Sequence, residues 1–168
     1  MTKFVALLRA VNVGGTGKLA MADLKSMCAD AGFDRIETYI ASGNVVFEST
    51  RTASRVQSEL ESRLRAYAQH PVRVFVRTAL ELQWVLRNNP FPKADPRLTY
   101  VFFLSSKPPP DATANVLRRV DEELRAGKRE IYVHYPLGMG QSRLVIPAPE
   151  TGTARNMNTI AKLVAMSS

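Results

Sequence analysis

Cysteine is almost missing from this chain: Cys28 is the single one among 168 residues. An intramolecular disulfide is therefore impossible, and so is a metal cage built on several thiolates. Cys28 falls among apolar residues of a predicted helix, where a buried inert thiol is the expectation. Histidine is nearly as scarce. His70 precedes Pro71 at a predicted helix-to-strand corner, and His134 alternates with Val133 and Tyr135; neither has the partner spacing of a metal site. Long apolar runs are lacking too. No segment approaches the roughly 20 apolar residues of a membrane helix. Phe4–Leu8, ended by Arg9, is too short for a secretory leader. These absences predict a cytoplasmic protein with no cofactor, no metal and no membrane partner.

Acidic residues are outnumbered. Fifteen Asp and Glu stand against twenty-three Lys and Arg, a net charge of +8 with a pI near 10.0. Such a field favours an anionic partner, either a small phosphorylated molecule or nucleic acid. The basic residues form no run of five, and a dispersed pattern also fits a solvated surface. Apolar residues at 45% and charged residues at 23% give a globular balance, with length for one ordinary domain or two small ones.

The periodicities predict an α+β fold. Residues 3–8 read as a buried strand, followed by the glycine-rich stretch Asn12–Gly17. Leu24, Met27, Cys28 and Ala31 form a helical stripe closed by Gly32. Ile36–Ile40 and Val45–Glu48 read as paired strands turning at Ser42-Gly43-Asn44. Val56, Leu60, Leu64 and Tyr67 mark a long helix, and Val72–Val76 a strand. The order βαββαβ is that of a ferredoxin-like, split βαβ lobe, expected over residues 1–77 with its helices on one sheet face.

Thr78 and Glu81 form a capping box that opens a short helix, and residues 78–97 read as that helix plus a linker. Residues 98–168 then nearly repeat the pattern as an incomplete βαββα lobe, giving two lobes with antiparallel or mixed sheets. Tyr100–Leu104 is the strand, and Val116, Leu117, Val120 and Leu124 form the expected helical stripe. Glu130–Tyr135 and Arg143–Ile146 are further strands, and Met157, Ile160, Ala161 and Val164 line a last helix.

Familiar chemistry mostly fails on spacing. A phosphate-binding P-loop needs glycine where Asn12 stands and a hydroxyl where Leu19 stands. Gly15-x-Gly17-x-x-Ala20 fits a dinucleotide fingerprint, but the following strand forms a hairpin and lacks its acid at Ile40-Ala41. No G-x-S-x-G or H-E-x-x-H string occurs, and neither Phe47 nor Phe102-Phe103 lies in an RNA-recognition string. Asp121-Glu122-Glu123 reads as the wet face of the expected helix, paired with Arg118 and Arg119.

Two polar clusters remain. In the first, backbone N–H groups of the glycine loop at a helix start could meet an anion, with Arg9, Asn12, Gly14, Gly15, Lys18, Ser42 and Asn44 as contacts. The alternative is a turn that merely needs glycine. In the second, Arg155, Asn156 and Asn158 present a fork and amides to a carboxylate or phosphate, aided by the Gly138-x-Gly140-x-Ser142 loop. The alternative there is a helix cap. An enzyme on a phosphorylated or acyl substrate, with Arg9 or Arg155 stabilising charge and Tyr39 or Ser42 moving a proton, stands beside the binding reading. So does an interaction protein with an exposed apolar patch.

The strings Leu8–Gly15, Thr38–Phe47, Asn89-Pro90-Phe91-Pro92 and Thr153–Thr159 resemble the domain-of-unknown-function family 1697. Ala10, Ala41 and Met157 stand where that family often carries Gly, Gln and Trp. The resemblance implies a bacterial cytosolic protein of two ferredoxin-like lobes and leaves the chemistry open.

Overall fold

The computed structural model describes residues 1–9, 19–40, 43–147 and 153–168. It is a mixed α+β protein of two compact units. The first comprises Met1–Gln83 with Leu163–Ser168, and the second Trp84–Lys162. Each is built on a four-stranded sheet.

In the first unit, β1 (Thr2–Leu8), α1 (Met21–Asp30), β2 (Asp34–Tyr39), β3 (Asn44–Ser49), α2 (Ala53–Ala68) and β4 (Val74–Thr78) follow in order. The sheet runs β2-β3-β1-β4, and every pairing is antiparallel. Strand alternation decides the packing. Phe4, Ala6, Leu8, Val45, Phe47, Val74 and Val76 point to one face, where they bury with Leu24 and Cys28 of α1 and Val56, Leu60 and Leu64 of α2. The intervening Val5, Leu7, Val46 and Phe75 are buried as well, so both faces of this sheet are covered. Gly32 closes α1 at φ +84, a conformation that favours glycine. The Thr52 hydroxyl accepts from the Arg55 amide at 3.3 Å and starts α2.

Next comes α3 (Ala79–Arg87), opened by the expected capping box. The Thr78 amide donates to the Glu81 carboxylate at 2.8 Å, and the Glu81 amide donates to the Thr78 hydroxyl at 3.1 Å.

The second unit holds β5 (Thr99–Phe103), β6 (Glu123–Ala126), β7 (Glu130–His134) and β8 (Ala154–Asn156), and α4 (Met157–Ser167) begins within it. Its sheet runs β6-β7-β5-β8, again antiparallel. Several expectations need correction here. No helix forms through Val116, Leu117, Val120 and Leu124. Arg118 has a positive φ of 58, incompatible with a right-handed helix, and Leu117 instead bridges Val145 through two backbone hydrogen bonds of 2.8 and 2.9 Å. Leu124 belongs to β6, opposite Val133. Arg143–Ile146 contributes only that single bridge, not a strand. The lobe also has the last strand that the sequence seemed to lack, since β8 pairs with β5. In α4, Met157, Ile160 and Leu163 are buried, whereas Ala161 is exposed.

Connections therefore do in the second unit what helices do in the first. Tyr100, Phe102, Leu124, Ile131 and Val133 on one sheet face pack against Ala112 and Val116 from one connection and Met139, Leu144 and Ile146 from the other.

Candidate ligand-binding site

The sequence-predicted residues fall in both units. Asn12, Gly14, Gly15, Lys18 and Ser42 lie outside the described residues. Arg9 is exposed just past β1, and its amide donates to the Arg73 carbonyl at 3.0 Å. Asn44 opens β3 opposite Leu7, fully buried, and its side-chain amide donates to the Tyr39 carbonyl at 3.0 Å. The Leu8 amide donates to the Gly43 carbonyl at 2.9 Å, so Arg9 and Asn44 share one end of the first sheet. Asn44 there ties β2 to β3.

In the second unit Arg155 lies on β8, only 7% exposed. Its guanidinium donates to the Thr153 hydroxyl and to the Ala154 carbonyl, and burial pulls its pKa down to about 10. Asn156 accepts from the Thr159 amide at 2.9 Å and so caps α4. Asn158 follows on the exposed surface of the first turn.

A different cluster shapes a hollow in the second unit. The connections between β5 and β6 and after β7 meet around a cavity of about 460 Å³, lined by Arg118, Arg119, Arg143, Gln141, Leu137 and Tyr135 among others. Glu122 holds the two connections together. Its carboxylate is 3% exposed and accepts from the Ser142 hydroxyl, from the Val120 amide at 2.7 Å and from the Asp121 amide at 3.1 Å. Arg119 Nε donates to the Glu122 carbonyl at 2.7 Å, and the Leu144 amide to the Ser142 hydroxyl at 3.1 Å. The expectation of a wet acidic helix face is thus corrected at Glu122, which is a buried anchor. Four donors or acceptors fix its turn, and a site so fixed loses little freedom on binding.

The Ser142 hydroxyl, with backbone amides behind it, holds the Glu122 carboxyl below the usual carboxylate range. A carboxylate stabilised in that way is a weaker base than an ordinary one, and here it holds the two connections together. Burial raises the Tyr135 hydroxyl above its ordinary value, leaving it a neutral donor. Among the described residues, no group of three or more His, Cys, Asp or Glu is placed to hold a metal ion.

Comparison with known proteins bears on lineage. A family model described as "Protein of unknown function (DUF1697)" matches residues 1–132. The chain belongs to that family. The DUF1697 match runs through the whole first sheet and reaches β7, so it includes Arg118–Glu122 and stops short of Ser142 and Arg143. The solved structure of a conserved bacterial protein from Streptococcus pneumoniae is similar over 99% of both chains, with a TM-score of 0.83 and 25% identity. No curated protein matches.

Sequence reasoning missed Arg118, Arg119, Gln141 and Arg143 as a group, because it placed the first two on a helix. Local propensity pointed the wrong way as well, since Glu123-Leu124-Arg125-Ala126 consists of good helix formers. Pairing with β7 across the Gly127-Lys128-Arg129 hairpin loop, where the Gly127 amide donates to the Glu130 carbonyl at 2.7 Å, makes that stretch a strand.

Proposed function

We propose that this DUF1697 protein binds a small organic anion in the hollow of its second unit. One observation carries the reading: three arginines, Arg118, Arg119 and Arg143, line a single cavity of about 460 Å³. That volume falls in the range of small-molecule sites, and guanidinium forks match carboxylate and phosphate oxygens. Ser142 and Glu122 serve as the clasp that shapes the cavity. The +8 net charge supports an anionic partner in general and also draws polyanions at low salt. The two sheets share one strand order, which supports reading each unit as a ferredoxin-like lobe, with connections in place of helices in the second. The cytoplasm is the compartment that fits this reading.

Calorimetric titration at low salt tests it, with acetate, inorganic phosphate, benzoate, a nucleoside monophosphate and a short oligonucleotide as probes. At least one small anion binds, and Arg118→Gln combined with Arg143→Gln weakens it ten-fold or more. No binding by any small anion, or binding untouched by the double variant, overturns the proposal; oligonucleotide binding alone transfers the charge to nucleic acid.

A further inference from the structure

Beside the arginine-lined hollow lies a second one of about 310 Å³, lined by Phe102, Met139, Leu144, Val145 and Ile146. The two share Tyr135 and Ser142, so they adjoin. The first hollow carries guanidinium groups beside apolar wall from Val120, Tyr135 and Leu137, and the second is lined mostly by aliphatic and aromatic side chains. In the first, three arginines stand with two carboxylates, Asp121 and Glu122, which leaves one net positive charge. That balance suits a single anionic group rather than a polyphosphate. The rim adds a further clue. Val120 is 85% exposed and Leu137 72% exposed, and both line the arginine hollow. Large apolar side chains grouped around one opening expose a patch whose cover by apolar matter is favourable.

From these features we infer that the ligand is an amphipathic monoanion: one carboxylate or phosphate-ester head on an apolar chain or ring, head towards the arginines and body in the adjoining chamber. This rests on the preceding proposal and narrows it. Inorganic phosphate and short hydrophilic acids would leave the apolar chamber unused. A polyanion would meet Asp121 at the mouth. Tyr135 and Ser142, the latter held by Glu122, form the wall common to both chambers, which places the head and the body in fixed register.

The decisive measurement is a homologous series titrated into the intact protein: acetate, butyrate, hexanoate, octanoate and decanoate, with octyl phosphate to compare heads and octanol as the neutral control. Affinity should rise about four-fold for each added methylene until the chamber fills, then level off. Octanol should bind at least ten-fold more weakly than octanoate. Octanoate stronger than octyl phosphate assigns a carboxylate head, and the reverse order a phosphate ester. Arg143→Gln should weaken octanoate several-fold. Met139→Gln should weaken decanoate several-fold and leave butyrate unchanged, with circular dichroism confirming the fold; the wild-type series decides the matter even where that variant unfolds. Anions that bind with no dependence on chain length overturn this inference and leave the anion site standing. A series in which nothing binds removes both.

Discussion

Two sheets with one strand order are finished in different ways. In the first unit the face bearing Phe4, Ala6 and Leu8 is roofed by α1 and α2, whose buried side chains recur at helical spacing. In the second unit the equivalent crossovers are irregular connections, held by the Glu122–Ser142 clasp and the Leu117–Val145 bridge. Helices satisfy their own backbone groups and can roof a sheet as smooth cylinders. Connections must find partners one by one, and the gaps they leave between them are concave. The hollow with its arginines therefore lies where the protein gave up regular structure. Helices close the sheet of the first unit, and the proposed anion site falls among the connections of the second.

The sharpest way to break this contrast is to thin each roof in turn. Leu60→Ala, in the fully buried stripe of α2, should lower stability by about 2–5 kcal/mol in denaturant unfolding. Val116→Ala, in a connection that roofs the second sheet and only partly buried, should cost about 1 kcal/mol. Equal costs would erase the distinction.

A smaller effect targets the clasp. Glu122→Gln removes the charge that the Ser142 hydroxyl and two amides stabilise, at a cost of about 1–3 kcal/mol at neutral pH. The folded carboxyl titrates below its ordinary value of 4.5. Its contribution is therefore present above that value and lost as pH falls through the lowered folded pKa. Denaturation of wild type and variant should differ at pH 7 and the difference should shrink as the pH falls below 4.5; a difference undiminished in acid refutes the role of the carboxylate charge. Least in size is the capping box, where Thr78→Ala should cost about 1 kcal/mol. Thermal unfolding reads this directly, and an unchanged midpoint would mean that the start of α3 adds nothing.

The same contrast explains what could be read in the residues. Leu24 and Cys28, or Val56, Leu60 and Leu64, recur at the helical period because one face of each helix meets a sheet, so the first unit was legible almost element by element. Val116, Leu117, Val120 and Leu124 imitate that period by coincidence, yet Leu117 and Val120 end up exposed. Their segment is governed by partners such as Val145 and Ser142, about twenty or more residues away, which no local window contains. The capping box at Thr78 was legible because its partners lie three residues apart. The arginine hollow was not, since Arg118 and Arg143 meet only through loop geometry. Arg155 and Asn156 were singled out for their chemistry, and both have local roles, Arg155 on the Ala154 carbonyl and Asn156 as the cap of α4.

Cys28, buried beneath α1 with its thiol pushed up to about 12 by desolvation, gives the first unit a chemical property of its own. Thiolate, not thiol, attacks electrophiles and accepts oxidants. While the roof over the first sheet stays closed, this sulfur is shielded from both; once it lifts, the thiol ionises near its ordinary value and becomes reactive. A lone sulfur thus marks the opening of one half of the molecule and is blind to the other.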